Sequence, residues 1–150
     1  MSSETDLIKL YSSRILALAA DIPYLERLEN PDATVKKRSP LCGSTVTVDV
    51  NIENGKITDF GQDVKACALG QAAAAVVGEN IIGCSLDEVQ TARDQLKAML
   101  TEGAAPPDAP FQDLEVLLPA REFKNRHASI MLALEATLEA MKLNSKENCA

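Results

Sequence analysis

The stretch from Thr45 to Lys56, which reads TVTVDVNIENGK, decides the fold of this chain. Polar and apolar residues alternate along it, and its apolar side chains fall on one face of an extended strand: Val46, Val48, Val50 and Ile52. This alternation predicts a strand with one buried face and one solvated face. Glu53-Asn54-Gly55 follows directly, and Asn-Gly after such a run is a strong hairpin signal. The chain should therefore turn back into a second, antiparallel strand.

Two further segments complete a small sheet. Lys56 to Asp63 is the predicted return strand, with Ile57 and Phe60 packed inward or across a bulge at Gly61. Upstream, Thr34 to Ser39 is short and charged, which is typical of an edge strand because charge discourages aggregation. We expect three antiparallel strands.

Helical patterns flank the predicted sheet. Asp6 to Asp21 carries apolar residues three and four apart, with Asp6 as a plausible cap. Cys67 to Val77 is rich in alanine, which predicts a buried helix that its neighbours can approach closely. Ser85-Leu86-Asp87-Glu88 is a capping box. The helix that it starts has an apolar stripe: Val89, Ala92, Leu96, Met99 and Leu100.

The C-terminal third begins with a loop from Gly103 to Pro110, followed by a short helix from Phe111 to Leu117 that ends before Pro119. Asn125 could cap a last helix, and a polar tail from about residue 143 should fray. The apolar line of that helix is Met131, Leu134, Leu138 and Met141. Since strands and helices are segregated, the sequence predicts an α+β fold over residues 1–150, a three-stranded antiparallel sheet with helices packed on one face.

Length and composition restrict the class of protein. The chain has 150 residues, a formal net charge of −7, 46% apolar and 25% charged residues, which fits one globular domain. The acidic balance and 3% aromatic content argue against a nucleic-acid partner. No apolar run approaches the roughly 20 residues that span a bilayer. The start, MSSETDLIKLYSSR, lacks the order of a secretory signal, so we expect a cytoplasmic protein with reduced thiols.

One histidine and four cysteines could bind a metal. No two cysteines are spaced C-x-x-C, which excludes a zinc ribbon or a thioredoxin-like motif. Cys42 precedes the alternating strand, Cys67 lies at the first turn of a helix, and His127 at the first turn of the last helix. The field at a helix N-terminus favours a thiolate and a neutral imidazole, the forms that bind metals. These three residues are candidate metal or cluster ligands.

Simple packing roles for the cysteines and for His127 remain open from the residues alone. A single cysteine is commonly a small buried apolar residue, and Cys84 and Cys149 are expected bystanders. His127 continues the apolar line of the last helix and could simply pack there.

Positive charge is concentrated around the three candidate ligands. Within six residues of them there are two acids and seven bases, so these windows carry +5 and the remainder of the chain −12. The bases are Lys36, Lys37, Arg38, Lys65, Arg121, Lys124 and Arg126. Cations there stabilise a bound anion or attract an acidic patch on a partner.

Several motifs, in order, resemble the IscU/NifU-N/SufU family of iron–sulfur cluster scaffold proteins. The likeness runs from about Leu7 to Ala140. It is carried by the alternating strand and by these segments: Ser39-Pro40-Leu41-Cys42-Gly43, Glu53-Asn54-Gly55-Lys56-Ile57, Ala66-Cys67-Ala68-Leu69-Gly70-Gln71-Ala72, Gly83-Cys84-Ser85-Leu86-Asp87-Glu88, Leu118-Pro119-Ala120-Arg121 and Arg126-His127-Ala128-Ser129. The resemblance implies the same α+β fold. It also implies a non-enzymatic scaffold that assembles a cluster with sulfur from a cysteine desulfurase and passes it to acceptor proteins.

The family binds its cluster, or zinc, with three cysteines and an aspartate. By this resemblance Cys42 and Cys67 match the first and second cysteines, whereas His127 occupies the third position and Ser44 replaces the aspartate. Some members place a histidine directly before that third cysteine. Cys42, Cys67 and His127 would then hold an iron–sulfur cluster, of which 2Fe-2S is the form expected, or zinc.

Other roles remain open. The segment Leu118-Pro119-Ala120-Arg121-Glu122 departs from the family's Leu-Pro-Pro-Val-Lys motif, which puts binding of the dedicated Hsp70 chaperone in doubt. One alternative is a zinc-binding acceptor of sulfur from the desulfurase, with Cys42 or Cys67 as the acceptor. A second is a degenerate family member that acts as an interaction protein.

Overall fold

A computed structural model describes residues 12–40 and 43–149, with side chains as far as residue 144. The elements, in chain order, are helix α1 (Ser13–Ala20), strands β1 (Ala33–Arg38), β2 (Thr45–Glu53) and β3 (Lys56–Lys65), helices α2 (Ala68–Asn80) and α3 (Leu86–Thr101), two 3₁₀ segments (Gln112–Glu122 and Lys124–Arg126) and helix α4 (His127–Cys149). The predicted α+β fold is confirmed. No helix in the described ranges is long and apolar enough to cross a bilayer.

The sheet is antiparallel with the order β1-β2-β3. The predicted hairpin is confirmed: Asn54 and Gly55 both have positive φ, 53° and 76°, as a two-residue turn of this kind requires. The bulge lies elsewhere than predicted. Because the register shifts between Asn51 and Ile52, Thr58 has no partner on β2, whereas Gly61 pairs regularly with Asp49. The extra residue brings Ile57 and Phe60 onto the same, buried face.

The inner face of the sheet packs against α2 and α4. All four residues of the predicted apolar line on α4 are buried, and so is the predicted stripe on α3. Ala72 to Ala75 on α2 are at most 1% exposed. Small side chains there allow the close approach that the alanine-rich sequence predicts.

The outer face of β2 is less exposed than the alternating pattern predicts. Asp49, which the pattern turns towards solvent, is 0% exposed. Residues 23–28 run over this part of the sheet. The N–H of Gln62 donates to the Tyr24 carbonyl (2.8 Å), and a Cβ on Gly61 would lie only 2.5 Å from the Glu26 carbonyl oxygen. Gly61 therefore gives the covering segment the space that it needs, rather than forming a bulge.

Asp49 fixes the covering segment to the sheet. Its carboxylate accepts hydrogen bonds from Arg27 Nε (2.6 Å) and Nη2 (3.0 Å), from the Leu28 N–H (3.0 Å) and from Thr34 Oγ1 (2.6 Å). Burial alone would raise the pKa of Asp49, but the hydrogen bonds from Arg27, Thr34 and Leu28 outweigh it, so its pKa is lowered. The sheet and the segment before it are held together by one buried charge.

Helix boundaries differ from the prediction at several positions. Ser12 caps α1, its hydroxyl accepting from the Ile15 N–H, while Asp6 lies outside the described residues. Pro119 lies inside a 3₁₀ segment instead of ending a helix. Three buried residues of that segment are spaced by three, the period of a 3₁₀ helix: Leu114, Leu117 and Ala120.

The last helix also begins and ends elsewhere than predicted. Asn125 lies within the short 3₁₀ turn, so it does not cap α4, which begins at His127. The helix continues to Cys149, past the point at which the polar sequence suggests fraying. The capping box of α3 is confirmed, with both the Ser85 and the Glu88 hydrogen bonds present.

Replacing Asp49 with Asn should lower the free energy of unfolding by about 2–3 kcal/mol at pH 7, because hydrogen bonds to a buried charged acceptor are lost. Because the pKa of Asp49 is lowered in the folded state, its ionised form stabilises the protein at pH values above the ordinary carboxyl pKa. This contribution is lost as the pH falls through the lowered pKa. The difference between wild type and variant should therefore narrow below about pH 4 in urea unfolding experiments.

Asp63→Asn is the matched control, since Asp63 is an exposed aspartate on β3. It should change the stability by less than about 0.5 kcal/mol. Equal losses for Asp49→Asn and Asp63→Asn would contradict the role of Asp49.

Candidate functional site

The starts of β2, α2 and α4 meet at one end of the sheet. Three side chains form a hydrogen-bonded chain there: Cys67 Sγ lies 3.6 Å from Ser129 Oγ, and Ser129 Oγ donates to Ser44 Oγ at 3.1 Å. Ser44 and Ser129 are buried, at 4% and 1% exposure, and Cys67 is partly exposed. We call these three residues the Cys67 cluster.

Backbone conformation and packing place the Cys67 cluster. Cys67 is the N-cap residue of α2 in an extended conformation, and its side chain makes no capping hydrogen bond, so the sulfur is free to turn towards α4. At Gly70, one turn into α2, an added Cβ would lie 2.5 Å from Ser129 Oγ. Only glycine at this position lets the two helices approach closely enough for Cys67 to contact Ser129.

Ser129 lies at the centre of the Cys67 cluster. Its hydroxyl donates to Ser44 Oγ. In its contact with Cys67 Sγ either atom could be the donor. The partners of the sulfur within the cluster are thus uncharged hydroxyl groups.

His127 is the first residue of α4, as the sequence predicts. Its Nε2 lies 2.9 Å from the carbonyl oxygen of Ala120 and 3.2 Å from that of Arg121. Both groups are acceptors, so Nε2 carries the proton, a tautomer assigned from these neighbours. The nitrogen left to bind a metal is Nδ1, and histidine ligands commonly donate their other N–H to a backbone carbonyl in this way.

Cys42 lies outside the described residues. On either side of it the loop is closed by backbone hydrogen bonds, from the Ser39 N–H to the Ser44 carbonyl (2.8 Å) and from the Gly43 N–H to the Ser39 carbonyl (3.0 Å). Within the described ranges, no three side chains of His, Cys, Asp or Glu form a metal site. The set of Cys42, Cys67 and His127 therefore stays a prediction.

Cys84 is a core residue. It is 3% exposed, and its Sγ donates to the Asn80 carbonyl oxygen at 3.2 Å. Burial, with a smaller contribution from the charge of Glu88, raises the pKa of Cys84 to about 11, so the group is a neutral thiol at pH 7. The prediction that Cys84 packs as a small buried residue is confirmed. The side chain of Cys149 lies outside the described residues.

The predicted cations have different roles. Arg121 is structural, because its Nε donates to the Met99 carbonyl (2.8 Å) and its Nη2 to the Ala104 carbonyl (3.3 Å). Lys37 lies 2.8 Å from Glu139 on α4. Three cations are exposed on the two edge strands: Lys36, Arg38 and Lys65.

Comparison with known proteins assigns the family. Residues 11–140 match the model of the NifU-like N-terminal domain. The chain belongs to the IscU/NifU-N/SufU family of iron–sulfur cluster scaffold proteins. The predicted resemblance is therefore confirmed.

Two relatives and one solved structure illustrate the likeness. The chain is 22% identical over 137 residues to the iron–sulfur cluster assembly scaffold protein IscU of Thermotoga maritima, covering 91% of this chain and 96% of that protein. It is 25% identical over 108 residues to IscU of Streptococcus pyogenes serotype M1, covering 72% and 68%. The N-terminal structure of a nitrogen-fixing NifU-like protein from Brucella abortus has a TM-score of 0.93 and 39% identity, over 95% of this chain and 99% of that one.

The role of Ser129 was not predicted from the sequence. The motif Arg126-His127-Ala128-Ser129 drew attention to the histidine, yet it is Ser129 that contacts Cys67. Gly70 is the one local signal, since it marks a close approach of α2 to another element.

Replacing Ser129 with Ala should raise the rate at which iodoacetamide alkylates Cys67 by about two- to fivefold. Losing a weak hydrogen bond of about 0.5–1 kcal/mol frees the thiol to turn outward. Mass spectrometry of the labelled peptides measures the rate at each cysteine.

Thr137→Ala is the matched control, because Thr137 is also buried on α4 and donates only to the Ala133 carbonyl of its own helix. In this variant iodoacetamide should alkylate Cys67 at the rate measured for the wild type. If Ser129→Ala and Thr137→Ala behave alike, the contact between Ser129 and Cys67 does not control the thiol.

Proposed function

We propose that this protein binds iron and a nascent iron–sulfur cluster as cargo at the Cys67 end of the sheet and passes the cluster to acceptor proteins. The observation that carries the proposal is the position of Cys67. It is partly exposed at the start of α2, within the family segment, beside the loop that bears Cys42. A cluster that is passed on needs sulfur ligands that a partner protein can reach. Cys84 is buried in the core, so it could neither bind a cluster nor present one to a partner.

The proposed ligands are the thiolates of Cys42 and Cys67 and Nδ1 of His127. A neutral imidazole donates less negative charge to iron than a thiolate, so a cluster held in this way should have a raised reduction potential. Zinc would also accept two thiolates and one imidazole, with its fourth position left for water or an exogenous ligand.

A cysteine desulfurase is the proposed source of sulfur, and the protein would act by binding and transfer rather than by turnover. The segment that corresponds to the family's Hsp70 motif differs from it in sequence. One of the differing residues, Arg121, is held in place by hydrogen bonds to the Met99 and Ala104 carbonyls. We therefore propose transfer to acceptors without that dedicated chaperone.

A second candidate function is supported by the hydroxyl groups at Cys67. Ser129 contacts the partly exposed sulfur, and Ser44 contacts Ser129, so the groups that accompany Cys67 in the cluster are neutral hydroxyls. A partly exposed thiol in these surroundings is open to sulfur from a donor persulfide, which is the role of a sulfur acceptor. In this second function zinc, rather than a cluster, would occupy the same proposed ligands.

Anaerobic reconstitution with iron, zinc, L-cysteine, a cysteine desulfurase and dithiothreitol separates the candidate functions, since the dithiol supplies the electrons that reduce persulfide sulfur to sulfide. A visible chromophore with bound iron and sulfide supports the scaffold, and stoichiometric zinc without a chromophore supports the sulfur acceptor. A protein that takes up neither metal nor sulfur contradicts both.

His127→Ala should weaken retention of iron or zinc by about 10-fold or more, because one of three proposed ligands is removed. Competition with a chromophoric chelator measures the affinity. Cys84→Ala is the control and should retain the metal as wild type does, since the Cys84 thiol is buried and donates to the Asn80 carbonyl at the end of α2. Unchanged retention in His127→Ala would assign the histidine to packing.

Ser44→Asp should tighten binding of iron or zinc by about 10-fold or more and slow cluster transfer, because it adds an anionic oxygen beside Cys67. Ser44→Asn is the matched control, since asparagine has the size of aspartate without its charge. Equal affinities and transfer rates in the two variants would show that charge at this position has no effect on the cargo.

A further inference from the structure

Three exposed cations lie together on the outer face of the sheet, and we call them the outer-face cations: Lys36, Arg38 and Lys65. Arg38 and Lys65 both pair with Thr45, one from each side, so they lie in the same row across the sheet. Their backbones are about 10 Å apart, twice the spacing of neighbouring strands. Lys36 lies on the same face, two residues before Arg38.

The position of the neighbouring side chains identifies this face as the outer one. Exposure alternates along β1. Ala33 and Val35 pack against the core, whereas Thr34, Lys36 and Arg38 are exposed. Lys37, on the inner side, lies against Glu139 of α4. The outer-face cations thus point away from the helices.

Local acids do not neutralise these cations. Within the described ranges none of the three forms an ion pair. The two rows that hold them contain one acid, Asp63, opposite Thr47. The rows therefore carry +2 in a chain whose formal net charge is −7. This half of the outer face is therefore a positive region on an acidic protein, where an anionic partner would be attracted.

The outer-face cations border the Cys67 cluster. Lys65 precedes Cys67 by two residues. Thr45, between Arg38 and Lys65, directly follows Ser44, which is linked to Cys67 through Ser129. The other half of the outer face is covered by residues 23–28, so the half that bears these cations is the uncovered part of this face among the described residues.

We propose that the outer-face cations dock a carboxylate-rich face of the sulfur-donating enzyme, so that its persulfide reaches Cys67. This inference rests on the proposed function. In the transfer, the Cys67 thiolate attacks the terminal sulfur of the donor persulfide. A new S–S bond forms on Cys67, the S–S bond of the donor breaks, and the donor leaves as a thiolate that takes up the proton lost by Cys67. No oxidant is required. Because sulfur atoms must touch, the two proteins have to dock at this edge of the sheet.

The test compares two triple variants with the same change in net charge, in which each cation becomes glutamine. The first removes the outer-face cations. The control removes exposed lysines elsewhere: Lys56, Lys97 and Lys142. Lys56 is matched to Lys65, since both lie on β3, at opposite ends about 30 Å apart. Radiolabelled sulfur from L-cysteine, passed through a cysteine desulfurase, measures transfer to Cys67.

At low ionic strength the second-order rate of transfer should fall about 10-fold or more in the first triple and by less than about twofold in the control. The difference should shrink in about 0.5 M salt, which screens charges over a few ångströms. Alkylation of Cys67 by uncharged iodoacetamide should be equal in both triples.

Each other outcome overturns the inference in a distinguishable way. Equal slowing in both triples means that net charge, not this surface, governs the encounter. A parallel fall in alkylation and transfer means that the thiol itself has changed. If transfer is unchanged in the first triple but delivery to acceptors is slowed, the surface receives the acceptor instead. Labelled sulfur that does not reach Cys67 of the wild type overturns this inference, whereas failure of the separate reconstitution contradicts the proposed function itself.

Discussion

The carboxylate of Asp49 is the contact on which the arrangement of the sheet depends. It lies at the centre of the middle strand, is 0% exposed, and is bound by a guanidinium, a backbone N–H and a hydroxyl from segments on two sides. A buried charge is tolerated only when it is paired and hydrogen bonded, so these segments cannot separate without leaving it unsatisfied. Asp49 thereby decides which half of the outer face is covered and which half stays open beside Cys67.

Local patterns predicted those parts of the fold whose causes are local. The Asn54-Gly55 turn, the capping box at Ser85 and the buried line on α4 each depend on neighbours within a few residues. The burial of Asp49 depends instead on Arg27, 22 residues earlier in an irregular segment. Alternation along a strand predicts which side chains share a face, but it does not show whether a distant segment of the chain covers the polar face.

The candidate site was predictable to a similar extent. The sequence and the family resemblance place Cys67 and His127 at helix starts, and the structure confirms these positions. The contact of Ser129 with Cys67 requires the close approach of two helices at Gly70. The direction of the histidine ring depends on carbonyl groups of a 3₁₀ segment that continues through Pro119, where the proline itself predicts the end of a helix.

Ser44 and the outer-face cations together set the charge at this end of the molecule. An aspartate at that position would place a negative charge between the Cys67 sulfur and the nearby cations, and would offset part of their field. Serine adds no charge, so the positive potential at Arg38 and Lys65 is not offset at this position. Such a field attracts anions and repels cations. Under the proposed function, serine would therefore favour arrival of an acidic partner or an anionic persulfide and would weaken retention of a metal ion, which is the balance required of a site that passes its cargo on.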